Sequence, residues 1–271
     1  MTLPPVAEYV EQFLFTMRAF PRSWRFLREH RLWEGLTRYG WVSKMLVAFA
    51  FIISLRFITV FLDWWNRIQS KADSNIVYGL ADLSKDMWSK GLGFLVSGGM
   101  KYVVLFLFMV IIYHISNRAM DVLTGQPSHL SLKDFIDSQK RAFGLTIMAL
   151  VLESVTILIL KIFFGIFDFI SPIQPVLVFA VKAYWVGFVV VDSYQEQFGL
   201  TVKQSNRFMS RYIGVGLAIG VVFKVLMFIP VFGTAIASFV TTVTAVVVMH
   251  ELAKLHLAEP GQLEWVKEES A

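Results

Sequence analysis

Residues 158–185 read LILKIFFGIFDFISPIQPVLVFAVKAYW. Two apolar runs flank Ser171-Pro172-Ile173-Gln174-Pro175. Proline stops a helix and holds the residue before it extended. The stretch therefore predicts two apolar helices joined by a tight turn, with Lys161 on one arm and Lys182 on the other. Each arm is close to the length of about 20 apolar residues that crosses a bilayer core of about 30 Å.

The pattern repeats along the chain. Apolar runs fall at 45–64, 92–115, 144–169, 176–191, 213–229 and 233–250, and the last two meet at Ile229-Pro230-Val231-Phe232-Gly233. The 271 residues are 56% hydrophobic and only 17% charged, against about 25% charged in a soluble domain. The fold class expected is an all-α integral membrane protein with about six helical segments, the last four forming two proline-tipped hairpins. The last two runs are short, each about 25–27 Å as helix. Both a full crossing and a re-entrant dip are open for them.

Three regions follow: a basic amphipathic arm over 1–44, a membrane domain over 45–250 and a soluble tail over 251–271. In the arm, Phe13, Met17, Phe20, Trp24 and Leu27 recur at helical spacing, with Arg18, Arg22, Arg25 and Arg28 one residue on. Pro21 stands where it could divide the helix. Two readings are open: a helix lying on the membrane surface and a soluble arm with a solvated basic face. The start, MTLPPVAEYVEQF, lacks signal-peptide character, so the first apolar run is expected to serve as the insertion signal.

With the N-terminus inside and six crossings, sixteen basic residues lie on the inner side. Four lie outside (Arg67, Lys71, Lys85, Lys90) and five lie within spans: Arg56, Lys101, Lys161, Lys182 and Lys224. The positive-inside rule then puts both termini in the cytoplasm. Residues 116–143 read as a polar inner loop in which Ser131 caps an amphipathic turn over 133–141.

The segment 184–251 runs from an aromatic-rich helix to Asp192, then through a polar stretch with basic residues. Gly214, Gly216 and Gly220, the Ile229-Pro230-x-x-Gly233 turn and a small-residue helix ending at Glu251 follow. This ordered set resembles the CysZ-like sulfate permeases, a family that also holds the etoposide-induced membrane proteins. The looser likeness extends over about 10–252, arm included. Three features depart from the family pattern. Ser193 separates Asp192 from Tyr194, Ser238 stands where a second proline is common, and Glu29-His30-Arg31-Leu32-Trp33 lacks the glycine of the family's Gly-Leu/Ile-Arg element. The resemblance implies passage of a small inorganic oxyanion such as sulfate, with Arg31 nearest to the family's anion-recruiting arginine. It also implies the bacterial inner membrane, if the source is Gram-negative, and a homo-oligomer. The etoposide-induced branch implies the rival, a non-transporting membrane scaffold or homeostasis protein.

Charges at bilayer depth are functional candidates. Counted from the turns, Lys101, Lys161 and Lys182 share one layer near the midplane, and Lys224 is somewhat shallower. Three readings are open: a basic layer easing an anion through, lysines snorkelling to headgroups, and buried structural pairs. Asp192 is expected to pair with Arg207 or Arg211, or to cap the next segment. Gly216-x-x-x-Gly220 reads as a helix contact. The chain has no cysteine, and the histidines show no metal spacing. No serine sits in a nucleophile elbow and no glycine loop would cradle a phosphate. No enzyme activity, cofactor, metal or nucleic acid is expected.

Overall fold

The computed structural model describes residues 5–36, 44, 100–126, 132–166, 172–227, 229 and 233–255. The run at 45–64 with Arg56, the segment 66–90 and the tail beyond 255 lie outside the described residues, as do Asp168, Ser171 and Pro230. Among the described residues there are seven helices and no strand: α1 Val6–Glu29, α2 Met100–Thr124, α3 Leu132–Ile166, α4 Gln174–Glu196, α5 Val202–Met209, α6 Ile213–Leu226 and α7 Gly233–Leu252.

Three of them, α3, α4 and α7, are long and apolar enough to cross a membrane. A fourth counts if α5 and α6, bent by 99° at their junction, form one broken span. Alone, α6 has 14 residues and reaches only about 21 Å, short of a hydrocarbon core.

Helix boundaries in the last third follow the hydropathy closely, but two earlier ones do not. The predicted inner loop over 116–143 shrinks to the few residues after Thr124 and before Leu132. α2 continues because its polar turn is buried and satisfied. Ser116 Oγ donates to the Ser193 carbonyl at 3.0 Å, and Asn117 Nδ2 donates to the Tyr113 carbonyl at 2.8 Å. It ends at Gly125, whose φ of 70° continues the chain in a conformation glycine tolerates. The amphipathic turn at 133–141 is the first part of α3, not a separate element.

In α1, Pro21 does not divide the helix but lies inside one continuous element. The face it buries is Gln12, Thr16, Ala19, Ser23 and Leu27; of the apolar stripe read from the sequence, Met17 and Trp24 are exposed. The helix packs across the start of α6 and the end of α7. Tyr9 Oη donates to the Ser210 carbonyl at 3.1 Å, Gln12 Nε2 to the Arg211 carbonyl at 2.8 Å, and Arg22 pairs with Glu251 at 2.7 Å. Small and short polar residues win this face because they let the backbones approach.

The core is centred on the crossing of α4 and α6. Gly187 lies against Gly216 and Gly220, and Gly220 lies against Ala183. A Cβ on Gly187 would strike the Gly216 carbonyl, and one on Gly220 would strike the Ala183 carbonyl. The Gly216-x-x-x-Gly220 pattern is thus a helix contact, answered on α4 by Ala183-x-x-x-Gly187. Gly220→Ala should destabilise the protein by about 1–3 kcal/mol or more through overpacking. Gly144→Ala is the contrast: its site is open and helical, so it should gain up to about 1 kcal/mol. Thermal unfolding in detergent measures both, and equal effects would refute the crossing.

Candidate functional site

Lys224 is buried in α6, only 3% exposed, one turn past Gly220. Its ammonium sits 5.3 Å from the centroid of the Phe179 ring on α4, a cation–π contact. Lys182 is half-buried, adjacent to Ala183 and three residues from Phe179. The α4–α6 crossing therefore gathers two of the five expected residues, one from each helix.

The other three sit elsewhere. α3 and α4 run antiparallel, with Ser138 bonded to Glu196 and Arg141 to Asp192. From the Arg141–Asp192 pair, Lys161 lies about 30 Å along α3 and Lys182 about 15 Å along α4. The backbones of the two residues are offset by about 15 Å along the helix pair, about half a membrane thickness, and do not share a layer. The error in counting from the proline turn was to assume a symmetric turn: α3 extends past the level of its neighbour. Lys161 is exposed on that projecting part. Glu153, buried on α3, lies about 18 Å from the same pair and so comes level with Lys182. Lys101 falls in the first turn of α2, and its side chain is outside the described residues.

Arg31 occupies the turn after α1 in the left-handed region, at φ 44°. Leu32 N–H bonds to the Leu27 carbonyl and Arg31 N–H to the Arg28 carbonyl, the double bond of a Schellman cap. Arg31 fills the position glycine usually takes there. Its guanidinium is exposed and 3.4 Å from Glu34, and the same turn reaches α2 where His114 Nε2 meets the Glu34 carbonyl at 3.0 Å. A non-glycine residue held in this conformation costs about 1–2 kcal/mol.

The strongest polar constellation was not anticipated. Arg141 grips Asp192 with two bonds, Nε to Oδ2 at 3.0 Å and Nη2 to Oδ1 at 2.7 Å. It also donates to Ser205 Oγ at 2.8 Å and to the Leu200 carbonyl. The partner of Asp192 is thus Arg141, and neither Arg207 nor Arg211. The two residues are 51 apart in sequence, and a reading that ended the amphipathic turn at Arg141 had no reason to run α3 onward beside α4. The guanidinium ties α3 and α4 to the start of α5, where Thr201 and Gln204 form a reciprocal capping box. A cleft of about 10 Å³ beside it is lined by Tyr113, Ser138, Asp192, Ser193 and Glu196. Two carboxylates face it, and four of the five guanidinium N–H donors are engaged by Asp192, Leu200 and Ser205, so its chemistry disfavours an anion.

α7 carries five buried hydroxyls: Thr234, Ser238, Thr241, Thr242 and Thr244. Ser238, Thr241 and Thr244 donate back to the carbonyls of Thr234, Ala237 and Val240. Their protons are spent within the helix, which suits close packing.

No family model, no curated protein and no solved structure matches the chain.

Arg141→Met should cost roughly 3–5 kcal/mol, because it strands a buried carboxylate. Arg141→Met with Asp192→Leu should recover most of that loss. Denaturation in detergent reads both. A single variant costing under about 1 kcal/mol would mean the pair behaves like a surface bridge.

Proposed function

We propose that the chain is a multi-pass membrane protein that passes a small inorganic oxyanion, such as sulfate, by a channel-like mechanism. This reading follows the resemblance to CysZ-like permeases in 184–251 and takes α3–α4 and α6–α7 as its two proline-tipped hairpins among six segments. Both termini are cytoplasmic in it, and a homo-oligomer completes the pathway in the bilayer.

The outward and inward faces support a lipid setting. Along α1, Gln12, Thr16 and Ser23 are buried while Val6, Val10, Leu14, Met17 and Trp24 are exposed. Along α3, Glu153 is buried while Val155, Leu158, Ile159, Ile162 and Ile166 are exposed. In water that arrangement leaves an apolar surface that no described residue covers; in hydrocarbon it is the low-energy one.

The observation that carries the anion reading is Lys224, an ammonium buried at the crossing of two apolar helices with Lys182 beside the same crossing. An anion about 4 Å from one ammonium gains about 4 kcal/mol at an effective dielectric of 20. That is enough to offset part of the loss of its hydration. In this reading Lys224 and Lys182 set the field, Arg31 recruits the anion at the protein surface, and Lys101 and Lys161 act at other depths.

Flux of sulfate, sulfite and chloride into liposomes carrying the purified protein tests this. Lys224→Met and Lys182→Met should each lower the flux about tenfold, equivalent to about 1.4 kcal/mol, compared at equal amounts of folded protein. Arg31→Gly should stabilise the turn by about 1 kcal/mol and weaken half-saturation by the anion. No flux of any anion by the unaltered protein would overturn the permease reading and leave the scaffold reading standing.

A further inference from the structure

On a helical wheel of 100° per residue, α1 has three sectors. Gln12, Thr16, Ala19, Ser23 and Leu27, buried against the bundle, occupy an arc of about 80°. Val6, Val10, Leu14, Met17 and Trp24, all exposed, occupy a second arc of about 80°, centred about 140° from the first. Arg18, Arg22 and Arg25 share the flank next to this outer stripe with Glu11 and Glu29 at its ends, and Arg28 lies within the stripe. From Gln12 to Arg28 there are four arginines and no acidic residue. Arg22 is engaged by Glu251 and lies over the Phe15 ring; Arg18, Arg25 and Arg28 are exposed.

We propose that α1 is a two-sided bracket: its inner stripe grips the ends of α6 and α7, and its outer stripe inserts into an anionic headgroup layer. Three observations commit the outer face to lipid. The stripe is apolar with a tryptophan, the composition of a helix lying in an interface. Between Gln12 and Arg28 the stripe and its flank carry only basic charges, with Glu11 and Glu29 confined to the two ends of the flank; that middle stretch is complementary to an anionic leaflet. Its inner face is fixed to helices of the membrane bundle at Gly214, whose Cα lies against the Tyr9 carbonyl, and at Glu251. The outer stripe is therefore held beside the spans and cannot drift into bulk water. This assignment does not depend on anion passage; a scaffold would bind lipid through the same face.

The chain lacks cysteine, so single cysteines can report each face of the full-length protein. Val10→Cys, Met17→Cys and Trp24→Cys would carry a bimane label in vesicles of phosphatidylcholine with and without phosphatidylglycerol. Glu11→Cys serves as the label on the polar flank. Headgroup-level nitroxide lipids should quench the first three at least about threefold more than the label at position 11, with aqueous iodide showing the reverse order. Replacing Arg18, Arg25 and Arg28 together by Gln should lower lipid quenching at least about twofold in the anionic vesicles and remove its dependence on phosphatidylglycerol. Three results would overturn the proposal. Equal iodide access at all four positions would place the stripe in water. Protection from both quenchers would mean another part of the chain covers it. Spin–spin coupling between molecules at position 17 would mean a second copy does.

Discussion

Two helices touch backbone to backbone only where neither carries a side chain, and that constraint organises this protein. Gly187, Gly216, Gly220 and Ala183 remove side chains at the one place where α4 and α6 meet. Within hydrocarbon the hydrophobic effect gives no reason for helices to associate, so close packing has to supply it. The short α6 depends on this contact most. It is too short to be held by its own fit to a bilayer, and it turns sharply into α5 at one end. The same approach buries Lys224, because a side chain one turn beyond Gly220 has α4 and the Phe179 ring directly over it.

A second constraint acts at the other end of α4. A chain that runs apolar helices side by side must still turn, and every turn exposes carbonyls and N–H groups that need partners. Arg141 meets that need for the α4–α5 connection. One guanidinium neutralises Asp192 and holds the Leu200 carbonyl and Ser205 hydroxyl together. A lysine could not do this, because it lacks the planar fork that reaches a carboxylate bidentately while bonding elsewhere. The cap at Thr201 and the arginine fix the same few residues at the start of α5, while the 99° bend lies past its other end, where Tyr9 and Gln12 of α1 bond the Ser210 and Arg211 carbonyls.

Much of the helix layout was legible, and the reason is uniform. α4, α6 and α7 begin and end within a few residues of the hydropathy boundaries, because there Pro, Gly or a charged run coincides with the helix end. The glycine contact was legible from spacing alone. Failures came where polar residues are buried. Ser116 and Asn117 read as loop but are helix, since their side chains bond to carbonyls. On α1 periodicity marked the apolar stripe, of which Met17 and Trp24 are exposed, but not the short polar stripe of Gln12, Thr16 and Ser23 that packs on the bundle. Asp192 and Arg141 were each legible as charged residues near span ends, but their pairing needed the register of α3 against α4.

That register also decides what the lysines can do. Ionisable groups in a low-dielectric layer act together only if they are within several ångströms, since interaction energy falls with separation. Lys161 and Lys182, offset by about 15 Å along their helices, cannot form one cationic ring within a single chain. Lys182 instead comes level with Glu153, a carboxylate, while Lys224 has an aromatic face. At the α4–α6 crossing Lys224 and Lys182 stand on adjoining helices beside the same glycine contact. In the permeation reading proposed above, an anion would meet its cations one after another. A staggered path of single charges would hold it less tightly at each step than a ring does and would let it leave as readily as it enters, the balance conduction needs.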